Sequence, residues 1–220
     1  MGVPMPRPWP ALLLVGPTGS GKTPLGEELE RRGIQGRPCI HFDFGANLRA
    51  AAAGRADDCR LEEHELETIR RSLATGALFG AKDLPLILEI LACFAEMRRP
   101  EPGTLIVLNG LPRHRDQAES LASVVAVERV VSLEAGTEVI LERIRRDPGR
   151  DRSGREDDDE DAIIRRLAGF REKTAPLVDF YRARGVPVTI LAVTASMTAG
   201  AMCEELERLL RPAQGGDRDS

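Results

Sequence analysis

The feature that most constrains this chain is the segment Gly16-Pro-Thr-Gly-Ser-Gly-Lys-Thr23, which matches the pattern G-x-x-x-x-G-K-[ST] in full. An apolar run ends at Val15, directly before the segment, and a helical pattern begins near Lys22. Glycines allow the N–H groups of such a loop to turn inward around a phosphate, and the helix N-terminus adds a favourable dipole. The segment therefore predicts a strand, a phosphate-binding loop and a helix in succession.

The residues of this loop have separate expected tasks. Lys22 is expected to reach the terminal phosphates of a nucleotide such as ATP, and the hydroxyl of Thr23 to bind Mg²⁺. Pro24 has no N–H, so it lacks a donor that most loops of this kind offer to the α-phosphate. Weaker binding of the α-phosphate is therefore expected. The residues predicted to bind the nucleotide are Gly16, Gly19, Ser20, Gly21, Lys22 and Thr23.

Short apolar runs alternate with segments of helical periodicity along most of the chain. The runs predicted as buried strands are 11–15, 38–42, 104–108, 129–133 and 186–193. The helical patterns cover 22–33, 61–74, 84–98, 114–123, 136–146, 157–184 and 197–211. This alternation predicts an α/β fold with a parallel five-stranded sheet and helices on both faces. The length favours one domain over 1–212, and the polar segment 213–220 is expected to be a disordered tail.

Composition restricts the class of partner. The net charge of -4 argues against a general nucleic-acid binder, although it allows a local cluster of positive charge for a small anion. No apolar run approaches the length of a membrane span. The four cysteines are too far apart for zinc-ligand spacing and suggest reduced thiols. A cytoplasmic protein without nucleic-acid or membrane partners is expected.

Three further segments carry a family resemblance. Residues 41–49 follow the second predicted strand, residues 109–113 (Asn-Gly-Leu-Pro-Arg) follow the third, and residues 154–158 (Gly-Arg-Glu-Asp-Asp) precede a helix. Together with the phosphate loop, they resemble the adenylate kinase and UMP/CMP kinase family from about residue 11 to residue 193. The resemblance implies the fold of a P-loop kinase, with a helical acceptor-binding segment at about 43–80 and a short lid at about 147–157.

The resemblance also implies a binding site for the acceptor nucleotide. Arg49, in the pattern that begins at Gly45, matches an arginine that holds the acceptor phosphate. Arg113 matches a second such arginine, and Gln117 matches the residue that reads the acceptor base. Gly45, Arg49, Arg113 and Gln117 are therefore the predicted acceptor-binding residues.

Further arginines match the transfer site and the lid. Arg143 matches a residue that stacks on the adenine of the donor nucleotide. Asp157 and Asp158 match carboxylates of the lid motif. Always-charged, planar guanidinium groups suit a transition state that spreads charge over three oxygens. The predicted catalytic residues are Lys22, Arg113, Arg146, Arg155 and Arg166.

Two departures from the family pattern concern the metal site and the acceptor site. Asn109 stands where the family has an aspartate that orients Mg²⁺-bound water; its amide still holds water but adds no negative charge. Thr23 and Asn109 (through water) are therefore the predicted magnesium residues. Phe44 and Ala46 flank Gly45, and Phe44 is expected either to stack on the acceptor base or to crowd it.

The sequence thus predicts a monomeric nucleoside monophosphate kinase that uses ATP and Mg²⁺, with AMP as the first expected acceptor and UMP or CMP next. Its expected partners are small-molecule nucleotides. One alternative is a P-loop kinase or transferase of another small acceptor, since the loop also resembles that of tRNA prenyltransferases. Another is a nucleotide-binding module that has lost catalysis, which Asn109 and Pro24 would favour.

Overall fold

Five parallel strands form one sheet in the computed structural model, which describes residues 8–55, 59, 61–147 and 160–211, with backbone alone for 160–162. The strands are β1 (Trp9–Val15), β2 (Cys39–Asp43), β3 (Leu105–Asn109), β4 (Val125–Glu134) and β5 (Val188–Ala192). Their order across the sheet is β2-β3-β1-β4-β5. The predicted five-stranded parallel sheet is confirmed.

Helices fill the connections between the strands. They are α1 (Lys22–Arg32), α2 (Phe44–Ala52), α3 (Glu63–Thr75), α4 (Leu84–Arg98), α5 (Arg115–Leu121), α6 (Thr137–Arg146), α7 (Glu160–Gly169), α8 (Leu177–Arg182) and α9 (Ala199–Leu210). A 3₁₀ turn (Ala81–Asp83) precedes α4, and a π-helical turn (Phe170–Thr174) follows α7. None of the described helices is both long and apolar enough to cross a bilayer.

Helices cover both faces of the sheet because the side chains of a strand alternate between the faces. On β1, Leu13 faces a core shared with α4, α5 and α8. Leu12 and Leu14 face the opposite core, where α1 contributes Leu25 and α9 contributes Met202. All of these side chains are at most 2% exposed, so the central strand is buried on both sides.

The order of the strands across the sheet reverses at β1, because the chain first builds the sheet on one side of this strand and then on the other. β1 pairs with β3 on one side and with β4 on the other. In open α/β sheets, ligands bind in the crevice that such a reversal leaves beyond the carboxyl ends of the strands. The phosphate loop follows β1 at this edge, and Asn109 ends β3 beside it, so the sheet brings the two motifs together.

The long helix predicted over 157–184 is wrong. The chain forms α7, a π-helical turn and α8 instead, and the amide of Ala175 donates to the carbonyl of Phe170 at 2.8 Å. Pro176 follows, and it has no N–H with which to continue a helical ladder. β4 also begins earlier than predicted, at Val125, because the start of β1 pairs with it there.

Two predicted segments lie outside the described residues. Of the predicted lid at about 147–157, only Asp147 is among the described residues. It follows the end of α6 and has a φ of 41°. The predicted tail at 213–220 is not part of the described chain.

Candidate active site

The glycines of the loop between β1 and α1 are required by its backbone. Gly19 and Gly21 have φ values of 77° and 95°, in the left-handed region that side chains rarely allow. A Cβ on Gly16 would lie 2.7 Å from Oγ of Ser20 and 3.0 Å from Cβ of Leu133. The loop therefore packs too closely against its surroundings to admit larger residues at these positions.

Lys22 lies over this loop. Its Nζ donates to the carbonyl oxygens of Gly16 at 2.7 Å and Pro17 at 2.8 Å. Ser20 is fully buried, and its hydroxyl has no hydrogen-bond partner among the described residues. An ammonium group held at the mouth of a glycine loop that precedes a helix fits the binding of a nucleotide phosphate chain.

Three polar side chains meet beside the loop. The hydroxyl of Thr23 donates to Oδ2 of Asp43 at 2.6 Å. Nδ2 of Asn109 lies 2.9 Å from the same carboxylate oxygen and 3.0 Å from Oγ1 of Thr23. Asp43 and Asn109 are register partners at the carboxyl ends of β2 and β3, which explains their contact. Asn109 is 4% exposed, so its amide is fixed within this group.

Arg113 is anchored through its backbone. Its N–H donates to Oε1 of Gln117 at 2.7 Å, and its carbonyl accepts from the hydroxyl of Thr174 at 2.8 Å. Burial, and then the charge of Arg166, lower the pKa of the Arg113 guanidinium. Among the described residues, that guanidinium has no hydrogen-bond or ion-pair partner. Two cationic side chains close together, one of them on an anchored backbone, form a site for an anion.

Gln117 lies deep in the same region, where it is 4% exposed. Besides accepting from Arg113, its amide donates from Nε2 to the carbonyl of Phe79 at 2.9 Å. Nε2 of His114 is 3.0 Å from the same carbonyl. An amide held at both ends presents its remaining donor in one direction, which is the arrangement needed to read a base edge.

Phe44 belongs to the core beside this pocket. Its ring is 4% exposed and packs edge-on to Phe79, with the centroids 5.5 Å apart, and against Phe42 at 6.1 Å. It forms part of the wall of the cavity. Gly45 follows, and its missing side chain allows a guanidinium nitrogen of Arg49 to lie 3.3 Å from where a Cβ would be.

Arg143 is almost completely buried, at 3% exposure. It donates from Nε to the carbonyl of Gly19 at 3.2 Å and from one terminal nitrogen to the carbonyls of Thr194 at 2.7 Å and Met197 at 2.8 Å. The guanidinium thus joins the phosphate loop to the segment between β5 and α9. Its expected stacking on the donor adenine stays a prediction.

One cavity connects the phosphate loop with the predicted acceptor residues. Among its described lining residues are two carboxylates, Asp43 and Asp147, and five cationic side chains, Lys22, Arg49, Arg113, Arg143 and Arg166. In a chain with a net charge of -4, this excess of positive charge is local. The cavity can therefore hold two anionic ligands next to each other.

Of the predicted arginines that the structure describes, Arg146 does not line this cavity. Arg146 lies on the exposed side of α6, where it pairs with Glu142 at 2.5 Å, and it is not among the lining residues. Arg155 lies outside the described residues, as do Asp157 and Asp158. Their roles in transfer and in the lid stay predictions.

The sequence interpretation missed three residues of the site, Asp43, Phe79 and Thr174. Asp43 had a usable signal, because it is the last residue of a strand that ends at the carboxyl edge of the sheet. Phe79 contributes its backbone carbonyl and Thr174 a hydroxyl from the π-helical turn. These two contacts depend on tertiary packing, and no sequence motif signals them.

The described part of the chain contains no group of three or more His, Cys, Asp or Glu residues placed to hold a metal ion. Magnesium in phosphoryl-transfer sites is bound through one or two protein groups together with substrate phosphates. The hydroxyl of Thr23 and the neighbouring Asp43 and Asn109 fit this mode of binding, because they lie beside the phosphate loop.

The fold and the site define a P-loop protein of the kinase type, and comparisons with known proteins agree. A protein-family model described as an AAA domain matches residues 15–164, which include the whole phosphate loop. The adenylate kinase of Synechococcus sp. (strain WH7803) is 31% identical over 205 residues, which cover 90% of this chain and 97% of that protein. The adenylate kinase of Stenotrophomonas maltophilia (strain K279a) is 32% identical over 185 residues, covering 79% and 86%. The adenylate kinase of Xanthomonas campestris pv. campestris (strain 8004) is 30% identical over 205 residues, covering 90% and 96%.

The chain belongs to the nucleoside monophosphate kinase family, among the relatives named adenylate kinase, and is a phosphotransferase. The resemblance inferred from the phosphate loop and the later arginine motifs is confirmed at the level of the family.

Proposed function

We propose that this protein transfers the terminal phosphoryl group of ATP to a nucleoside monophosphate, and that AMP is its acceptor. The observation that carries the proposal is that Lys22 and the phosphate loop line the same cavity as Arg49 and Arg113. Two anion-binding regions in one cavity suit a donor and an acceptor that both carry phosphates. The relatives named adenylate kinase favour AMP.

ATP is proposed to bind with its phosphates in the loop 16–23. Lys22 would exchange its contacts with the carbonyls of Gly16 and Pro17 for phosphate oxygens, while the loop amides donate to the same chain of phosphates. Mg²⁺, held by Thr23 and through water by Asn109, would supply positive charge that stabilises the charge developing on the phosphates.

The acceptor is proposed to bind on the other side of the cavity. Arg113 and Arg49 would hold its phosphate, and Gln117 would read its base. An oxygen of that phosphate then bonds to the γ-phosphorus of ATP as the bond to the bridging oxygen of ADP breaks. Arg166 lies in the same cavity, and its fixed charge would stabilise the equatorial oxygens of the transferred group.

The residues of one chain suffice to bring the phosphate loop, Arg49 and Arg113 into one cavity, and on this ground the protein is proposed to act as a monomer. The acidic chain and its arginine-lined cavity support small nucleotides, rather than nucleic acid, as its partners.

The proposal is tested by measuring ADP formation from ATP and Mg²⁺ with AMP, CMP, UMP, GMP or dCMP, and without acceptor. Rapid ADP formation with AMP, above the rate without acceptor, is expected. Formation with CMP or UMP instead would retain the kinase and change the acceptor. Tight ATP binding with no transfer to any monophosphate would contradict the proposal and favour another small acceptor or a binding module.

Lys22 provides a variant for the donor side of the same assay. Lys22→Ala is expected to weaken ATP binding by about 10- to 150-fold, the equivalent of one charge-assisted hydrogen-bonding group. Lys82→Ala is the matched control, because Lys82 is exposed on the 3₁₀ turn and does not line the cavity. Equal ATP affinity in the two variants would contradict the assignment of the phosphate loop.

A further inference from the structure

The carboxylate of Asp43 lies next to the position of the family's aspartate, on the adjacent strand. Asn109 occupies the family's aspartate position at the end of β3 and carries no charge. Asp43 ends the adjacent strand β2 in register with it, and its Oδ2 lies 2.9 Å from Nδ2 of Asn109. The negative charge at this edge of the sheet is therefore retained, one strand away from its expected position.

The contact between Asp43 and Thr23 has the chemistry of a magnesium site. In P-loop proteins the hydroxyl of the loop and a carboxylate hold the cation together. Here the Thr23 hydroxyl donates its proton to Oδ2 of Asp43 at 2.6 Å and accepts from Nδ2 of Asn109 at 3.0 Å, so one lone pair of the hydroxyl oxygen is left to face a cation. Mg²⁺ prefers such oxygen ligands, and a carboxylate adds the charge that an amide lacks.

The two oxygens of Asp43 have separate contacts. Oδ1 accepts from the N–H of Ala46 at 2.8 Å and so caps the N-terminus of α2. Oδ2 points to Thr23 and Asn109 and takes no part in that cap. The cap alone would explain an aspartate or an asparagine at this position equally well. It does not explain a second oxygen directed at the hydroxyl of the phosphate loop.

We propose that Asp43 is the carboxylate of the magnesium site and replaces the charge absent at Asn109. The inference rests on the proposed function, because it places ATP and Mg²⁺ at the loop 16–23. It assigns a role to a residue that the family resemblance left without one. The carboxylate acts on the cation together with Thr23, while Asn109 fixes its position by donating to Oδ2.

The substitution Asp43→Asn removes the charge and keeps the helix cap, because asparagine has the same size and caps helices as well as aspartate does. Its new amide N–H₂ would face Nδ2 of Asn109, so the amide of Asn109 has to turn its oxygen toward it. The exchange variant Asp43→Asn/Asn109→Asp restores one carboxylate on the opposite strand. Each protein is mixed with a non-hydrolysable ATP analogue at a concentration below that of the protein, and Mn²⁺ is titrated into the mixture. Free Mn²⁺ is followed by its electron paramagnetic resonance signal. Binding of the analogue is measured separately in the presence of EDTA.

Asp43→Asn is expected to weaken Mn²⁺ binding by about 10- to 100-fold, the range found when groups that support a metal site are removed. Analogue binding in EDTA is expected to remain near that of the wild type. The exchange variant is expected to recover most of the lost Mn²⁺ affinity. Equal Mn²⁺ affinity in the wild type and Asp43→Asn, or no recovery in the exchange variant, overturns the proposal.

The outcome is separable from that of the proposed function, because metal binding is measured without transfer. A wild type that binds Mn²⁺ through Asp43 but transfers nothing to AMP would refute the acceptor and retain the metal site. A wild type that phosphorylates AMP but binds Mn²⁺ independently of Asp43 would retain AMP as the acceptor and refute the role of Asp43 in the metal site.

Discussion

Replacing Arg113 by methionine is expected to stabilise the free protein and to weaken binding of the acceptor strongly. The guanidinium lies in the cavity with its pKa lowered by burial and by Arg166, so its charge is less favourable in the folded protein than in water. Methionine keeps the length of the side chain and removes the charge. The backbone bonds of Arg113 to Gln117 and Thr174 do not involve the side chain and would remain.

The size of both effects follows from this environment. Burying a charged donor costs at least about 1–3 kcal/mol when it is unsatisfied, and the partly exposed guanidinium of Arg113 has no hydrogen-bond partner among the described residues. A gain of about 1–2 kcal/mol in the free energy of unfolding would raise the Tm of a chain of this size by about 2–8 °C. Loss of a charge-assisted contact to the acceptor phosphate would cost about 2–5 kcal/mol, or about 30-fold to several thousand-fold in AMP affinity.

Thermal unfolding with and without AMP measures both quantities. AMP is expected to raise the Tm of the wild type and to leave that of Arg113→Met unchanged. Arg129→Met is the matched control, since Arg129 is also partly buried but donates to Oγ1 of Thr189 on β5, away from the cavity. This control should lose stability slightly and keep the AMP effect. A lower Tm for Arg113→Met without AMP, or an undiminished AMP effect, would refute the reasoning.

Three further predictions concern stability and donor binding. Gly26→Ala would place a methyl group against the buried ring of His41 and is expected to lower the free energy of unfolding by about 1–3 kcal/mol in denaturant titrations. In α9, Gly200→Ala would meet only the flexible side-chain ends of Arg32 and Glu28 from α1, and it is expected to raise the free energy of unfolding by about 0.5–1 kcal/mol. Burial raises the pKa of the Cys39 thiol to about 11, so the unfolded chain releases this proton first as the pH rises above about 9. Stability is therefore expected to fall between pH 9 and about pH 11 by about 1–2 kcal/mol, and by less in Cys39→Ala. Pro24→Ala restores an amide in the first turn of α1 and is expected to tighten ATP binding in calorimetry by up to about tenfold; unchanged affinity would show that this amide does not contact the nucleotide.

The strands and the phosphate loop were predictable because their signals are local. The loop glycines, the apolar run before them and the helical pattern after them lie within about two dozen residues, and each agrees with the others. The helix α4 has the bounds predicted from its apolar periodicity. The break between α7 and α8 was not predicted, since an i→i+5 bond at Phe170 leaves no mark in a helical periodicity.

Asp43 and Arg143 show what a motif alone does not reveal about the site, namely the contacts that a side chain makes in the fold. Asp43 acquires its neighbours only when β2 pairs with β3, which places it opposite Asn109. A position in the chain does not reveal this pairing. Arg146, whose role in transfer stays a prediction, pairs with Glu142 on the exposed side of α6, whereas Arg143 enters the interior. Positions three residues apart on a helix can thus differ completely in burial.

The charges of the cavity connect its stability to its function. An acidic chain has gathered five cationic side chains around one cavity, against two described carboxylates, and the pKa of Arg113 records the cost of doing so. Phosphates that enter the cavity neutralise this repulsion between cationic side chains. The relief of the repulsion adds to the free energy of phosphate binding. Fixed positive charge also needs no reorganisation when negative charge develops on the transferred group. The same arrangement that weakens the free protein therefore favours the binding of two anionic nucleotides and the reaction between them.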